Sequence, residues 1–259
     1  MAYQFATYEK KGRLAIVTLN RPERMNALHP PSHVELEAIW DDFEQDPEVW
    51  VGILTGAGDK AFSAGNDLKY TAEHGRNTGR PRASGFGGLT SRTWLTKPII
   101  AAVNGFALGG GFEMALACDI IIAADHARLG LPEPKVGLMA GAGGVHRLPR
   151  MIPYKIAMGY ILTGRHMTAQ EAHQYGIVNE VVPLAALMPT VETWANEILA
   201  CAPLSIRASK QAVQDGLGHP LHVALQMQGS ELNRMRFSED TLEGPRAFAE
   251  KRKPNWQAK

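Results

Sequence analysis

A chain of 259 residues with 45% apolar content can bury one large core, and its length admits one or two domains. A net charge of +1, with acids and bases mixed along the chain, argues against a nucleic-acid surface or a polybasic membrane patch. Its two cysteines, Cys118 and Cys201, lie far apart in apolar contexts, which points to buried thiols in a reduced, cytoplasmic setting.

The stretch up to Asn20 carries no apolar segment ahead of a small-residue cleavage site, and no Arg/Ser-rich, acid-free transit composition. Leu14 to Asn20 and Val49 to Thr55 are β-rich and predict strands. Between them, Ser32 to Gln45 has helical spacing, with Ser32 and Glu35 spaced as an opening capping box. Ala61 to Lys69 ("AFSAGNDLK") is a small-residue turn after a strand, and Gly75 to Gly88 ("GRNTGRPRASGFGG") reads as a mobile loop beside a site.

Pro98 to Val103 and Asp119 to Ala124 are short apolar runs that suit fully buried strands. From Pro98 to Cys118 the only strongly polar side chains are Asn104 and Glu113, which mimics a membrane span. Glycines 105 and 109–111 interrupt that run, however, and Glu113 in hydrocarbon would cost about 3 kcal/mol or more. A buried strand, a turn and a short helix are expected instead. Ala127 to Glu133 predicts another strand.

Beyond about residue 150 the pattern is helical: Tyr154 to Leu162, Thr168 to Tyr175, Thr190 to Ala200, Leu204 to Gly216, Leu221 to Arg236 and Thr241 to Lys251. Thr168 and Glu171 form a second capping box, Gly176 stands where its helix ends, and Ile177 to Val182 predicts the one strand among the helices. The expectation is one domain, with an α/β body over about 1–190 and a helical part over about 191–259.

Chemistry concentrates in four features. Gly109 to Gly111 open a helix, so free N–H groups point outward at its positive end. The "AFSAGNDLK" turn offers a second set of amides, and two amides aimed at one point make an oxyanion hole. Glu113 follows the glycines directly in a helix with no polar face, and Glu133 sits between Pro132 and Pro134, which fix its backbone. Two carboxylates in apolar surroundings can hold a water and move protons. Such a pair also occurs in glycosidases, but only 7% of the residues are aromatic, too few for a sugar cleft. "GFGG" and "GAGG" do not match the dinucleotide fingerprint, and the histidines lack metal-ligand spacing, so neither cofactor nor metal is expected.

Taken together, "AFSAGNDLK", "KPIIAAVNGFALGGGFEMALACDIIIAAD", "LGLPEPKVGLMAGAGGVHRLPR" and "AFAEKRKPNW" resemble the crotonase (enoyl-CoA hydratase/isomerase) superfamily over nearly the whole chain, in the right order. The resemblance implies a spiral of ββα units with a helical C-terminal region that mediates assembly as a homotrimer or homohexamer. It implies an acyl-CoA thioester substrate, with the thioester oxygen held by the backbone N–H groups of Asn66 and Gly110. Glu113 and Glu133, twenty residues apart, would be the acid/base pair of a hydratase: Glu113 takes a proton from water and Glu133 gives one to the α-carbon. Further substrate contacts are implied at Ala64, Gly65, Asp67, Leu68, Lys69, Gly141 and Lys251. "AGND" and "GLMAGAGG" depart from the commoner "AGAD" and "GLIPGAGG", and the tail is similar to carnitinyl-CoA dehydratase-like members. An isomerase or retro-aldol lyase of this fold, or a non-catalytic assembly protein, are the competing functions.

Overall fold

The computed structural model describes residues 3–75 and 83–259. Its apolar runs become neighbouring strands of one six-stranded sheet. β1 (Ala6–Lys11) pairs antiparallel with β2 (Leu14–Leu19). β2 continues parallel to β3 (Val51–Gly56), β5 (Ile99–Val103), β7 (Ile120–Ala124) and β10 (Glu180–Val182), in that spatial order. A second, four-stranded sheet takes the strands in between: β4 (Ala61–Ser63), β6 (Phe106–Leu108), β8 (Arg128–Gly130) and the antiparallel β9 (His166–Thr168). The chain thus alternates between sheets, β3 to β4, β5 to β6 and β7 to β8, one step along per turn. This mixed α/β layout is the expected spiral.

Alternation of side chains explains the unbroken apolar runs. In β5, Ile99, Ala101 and Val103 face one core while Ile100 and Ala102 face another, so neither face has room for polar residues. The first core is completed by Leu36, Ile39, Trp40 and Phe43 of α1 (Pro30–Gln45) and by Phe112 and Leu116 of α3 (Gly110–Ala117). The second is covered by Leu187, Val191 and Ala195. These belong to a helix over Leu184–Leu199, labelled α7 below, so the division expected near residue 190 falls inside an element packed on the sheet.

Between the sheets' strands lie α2 (Leu68–His74), α4 (Gly144–Met151), α5 (Tyr154–Thr163) and α6 (Ala169–Gln174), with α7 following β10. Beyond it come α8 (Pro203–Gly216), α9 (Leu221–Ala224), α10 (Ser230–Arg236) and α11 (Asp240–Ala249).

Several expectations need correcting. The capping box Ser32/Glu35 does not form, because α1 starts two residues earlier at Pro30–Pro31, whose φ is preset and whose missing N–H groups a helix start does not need. Ser32 instead bonds His29 Nδ1 at 2.5 Å, and the Glu35 carboxylate accepts from Gln4 N and Phe5 N at 2.9 and 2.7 Å. The Thr168/Glu171 box does form, and Gly176 turns the chain at φ 82°. The strand expected over Ala127 to Glu133 stops at Gly130, since Pro132 and Pro134 favour the 3-10 turn Glu133–Val136. The single helix expected over Leu221 to Arg236 is broken: Gly229 lies against Gln211, whose side chain accepts from Glu231 N at 2.8 Å. Cys118 is buried as expected, but Cys201 is exposed just past the end of α7. Of the loop expected to be mobile, residues 76–82 lie outside the described residues. Phe86–Gly88 forms a 3-10 turn, with Trp40 Nε1 donating to Gly87 O at 3.1 Å.

Candidate active site

Because β4, β6 and β8 run side by side and parallel, the turns that leave them gather at one end of the small sheet. The turn after β4 carries Ala64 to Asp67, the turn after β6 carries Gly109 to Gly111, and the turn after β8 carries Glu133. Their contacts are close enough to require glycine. A Cβ on Gly65 would lie 2.8 Å from Gly110 N, and one on Gly111 would strike the Ser63 carbonyl. Gly109 adopts φ 54°, and a Cβ there would lie 2.8 Å from Glu133 Oε1. The triple glycine therefore both opens α3 and lets two neighbouring turns and a carboxylate approach its backbone.

A cavity of 490 Å³ lies over these turns, lined by Ala64, Asn66, Leu68, Phe86, Gly109, Gly110, Glu113, Glu133, Gly141 and Ala142, together with Pro132, Lys135 and the exposed Val136, Leu138 and Met139. Leu28 N donates to Gly65 O at 2.7 Å and Asp67 N to Leu28 O at 2.8 Å. In that bridge Asn66 lies between two bonded peptide groups and turns its own N–H to the opposite side. Gly110 N–H belongs to the first turn of α3, where no intrahelical acceptor exists. The Asn66 side chain donates to Thr71 Oγ1 at 3.1 Å, towards α2.

Glu113 is buried at 3% exposure, and its Oε1 accepts from Gly144 N at 2.8 Å, the first residue of α4. Burial pushes its pKa up to about 7; the Gly144 N–H and the backbone of Ala142 pull it down, while Glu133 pushes it further up. Burial also raises Glu133. Its Oε2 is buried, with no hydrogen-bond partner among the described residues. Two such carboxyls beside one another favour a state in which one is charged and one is protonated.

Of the residues singled out from sequence, Glu113, Glu133, Asn66, Gly110, Ala64, Leu68 and Gly141 share this cavity. Gly65, Asp67, Lys69 and Lys251 are not in its lining. Gly65, within the turn, is buried against the backbone of Leu108 and Gly110. Asp67 is committed to structure, pairing with Arg21 at 3.0 Å and capping α2 through Tyr70 N. Lys69 and Lys251 are exposed. The sequence reading missed Phe86, whose ring lies over Gly110, and Lys135, the cation of the lining. It also missed the Gly144 N–H, although the small-residue run "GAGG" resembles the Gly109–Gly111 signal for a helix start. Among the described residues no group of three or more His, Cys, Asp or Glu is arranged to hold a metal ion, and no helix is long and apolar enough to cross a membrane.

Comparison with known proteins follows the same outline. The model of a family described as enoyl-CoA hydratase/isomerase matches residues 9–259. A carnitinyl-CoA dehydratase from Citrobacter koseri is 43% identical over 260 aligned positions, covering 97% of this chain and 98% of that protein. One from Escherichia coli K12 is 42% identical, covering 96% and 97%. Among solved structures, the enoyl-CoA hydratase from Mycobacterium tuberculosis superposes with a TM-score of 0.91 at 39% identity, covering 98% of this chain and 99% of that one. That from Bacillus anthracis gives 0.91 at 38%, covering 99% and 100%.

Proposed function

The chain belongs to the enoyl-CoA hydratase/isomerase family, and on that premise we propose that it adds water reversibly across the 2,3 double bond of an acyl-CoA thioester. The observation that carries this is the pair of buried carboxyls, Glu113 and Glu133, in one cavity with the turns of Asn66 and Gly110.

In the hydration direction, the thioester oxygen rests against the N–H groups of Asn66 and Gly110, the second backed by the dipole of α3. Glu113, already accepting one N–H on Oε1, takes a proton from water on its other oxygen, and the water oxygen bonds to the β-carbon. The double-bond electrons move to the thioester oxygen as an enolate. Glu133 then gives its proton to the α-carbon, and the enolate collapses to the saturated thioester. One water is consumed, and a proton passes back from Glu113 to Glu133 through solvent or water in the site to restore the start. Electrostatic stabilisation rests on backbone amides, so the reaction needs neither metal nor cofactor. The exposed apolar lining residues Val136, Leu138 and Met139, with Lys135, suit the pantetheine arm and the phosphates of CoA.

We further propose a homotrimer or homohexamer. The C-terminal helices leave Leu217, Leu221, Leu225, Phe237 and Phe248 exposed, more apolar surface than a monomer ordinarily leaves to water.

The test is incubation with a panel of 2-enoyl-CoA thioesters of short, branched, aromatic and trimethylammonium-bearing acyl groups, following loss of the conjugated chromophore. The proposal expects loss with at least one of them; a flat trace across the panel contradicts it.

A further inference from the structure

Glu113 does not keep its geometry unaided. The peptide that grips it, Ala142 to Gly144, turns into α4 with Gly143 at φ 108°. The Arg147 side chain lies against that turn: a Cβ on Gly143 would run into Arg147 Nη1. Arg147 Nη1 donates to Ala142 O at 3.5 Å, and Nη2 donates to Thr90 O at 2.8 Å. Thr90 in turn accepts on Oγ1 from Phe86 N at 2.8 Å, and the Phe86 ring lies over Gly110. One half-buried guanidinium therefore ties together two walls of the cavity. One wall bears the N–H that holds Glu113, and the other bears the ring that packs on a proposed oxyanion donor.

We propose that Arg147 is a positioning residue of the hydratase site: its fork fixes the 142–144 peptide, and with it the N–H that Glu113 accepts, and it places a positive charge at that turn. This rests on the hydratase function proposed above. Both its bonds go to backbone carbonyls rather than to a carboxylate, and its charge, the weakest of the influences on Glu113, favours the ionised form. Among the described residues, three other groups act on Glu113. Glu133, from the turn after β8, opposes its ionisation, while the backbone of Gly144 and Ala142 at the entry to α4 favours it. Cys118, at the end of α3, is buried and held neutral, and it lies towards Arg147 rather than Glu113. β4, β6 and the Phe86–Gly88 turn carry no titratable side chain. Arg147 is thus the cation set against the burial that raises Glu113 to about 7.

The test compares Arg147→Met, which keeps a long stem without charge, with Arg147→Lys, which keeps the charge without the fork. Steady-state hydration is followed from pH 5.5 to 9.5 on an enoyl-CoA that the wild type hydrates, and infrared titration follows the carboxyl band that Glu113→Gln removes. For Arg147→Met the acid limb of kcat moves up by about one pH unit, so kcat falls about tenfold more at pH 6 than at pH 9, with KM little changed. The infrared midpoint moves with it. Arg147→Lys leaves the limb in place and lowers kcat evenly, since one ammonium does not span both carbonyls. An Arg147→Met profile parallel to the wild type, or an unmoved infrared midpoint, overturns the proposal. Should Arg147→Met fail to fold, wild-type kcat in Arg147→Lys overturns it equally. A wild type that hydrates no enoyl-CoA defeats the hydratase function instead, and the infrared midpoint then still decides whether Arg147 controls Glu113.

Discussion

Glu113 sits well above the ordinary carboxylate range because the helix that carries it offers it almost no water. A carboxyl whose folded pKa is raised holds its proton more tightly folded than unfolded. Its stabilising contribution is complete below the unfolded value of about 4.5 and is lost as pH rises through about 7. Glu113→Gln keeps the acceptor for Gly144 N–H and removes the charge. It should therefore stabilise the protein by up to about 3 kcal/mol at pH 8 and by little at pH 5. Urea unfolding at the two pH values checks this, and a gain independent of pH contradicts it. Turnover should fall by about 10²–10⁴ in Glu113→Gln and in Glu133→Gln, and the double variant should lose far less than the product of the two. Exchange of the α-proton of the saturated thioester with deuterated water should depend more on Glu133 than on Glu113; the reverse order would exchange their roles. These two residues were legible in the sequence because each broke its local pattern, one a charge in an apolar helix, the other a carboxyl between prolines. Phe86, Lys135 and Arg147 broke no pattern, and only the folded chain brings them to the cavity or its walls.

The turns at the head of the small sheet act as one element, and their tolerance to a single methyl group should differ sharply. At Gly111 an added Cβ meets the backbone carbonyl of Ser63, which has nowhere to go, whereas at Gly110 it meets the Phe86 ring at 2.6 Å. Gly111→Ala should cost about 2–4 kcal/mol or prevent folding, and Gly110→Ala less, with Phe86→Leu recovering part of the Gly110→Ala loss. Thermal unfolding of the three variants checks the order; equal losses at the two glycines contradict it. Gly110→Pro, which removes the N–H itself, should lower kcat by about 10²–10³ in protein that still folds. At this scale β2, β3, β5 and β7 were read well, since runs buried on both faces leave a continuous apolar signature. The edge strand β1 and the three-residue strands β4, β6 and β9 were missed, so Ile177 to Val182 is not the one strand beyond residue 150. Two helices with an internal proline were read less well, although α11, which contains Pro245, was read to within two residues at each end. α4 runs through Pro149 and was missed. α7 runs through Pro189, so its start was placed six residues late, at Thr190. Proline normally ends a helix by removing an i to i−4 bond, and here packing against the sheet and neighbouring helices outweighs that loss.

For the molecule as a whole, the C-terminal helices predict its state of association. Phe237 and Phe248 are 89% and 88% exposed, and Leu217, Leu221 and Leu225 stand near them in sequence on the same helical region. Sedimentation at micromolar concentration should give the mass of three or six chains, and Leu221→Asp with Phe237→Asp should lower it; a monomeric wild type contradicts the assembly. Activity should also survive exhaustive treatment with a chelator, and loss restored by a divalent ion would contradict a reaction supported by backbone amides alone. The central claim is that water is added across a conjugated thioester. The most direct measurement is the mass spectrum of the product formed from a 2-enoyl-CoA in ¹⁸O-labelled water. The account predicts a product heavier by one labelled water, with the label in a hydroxyl on the β-carbon. A product of unchanged mass with a displaced double bond, a cleaved acyl chain, or no product across the panel would contradict it.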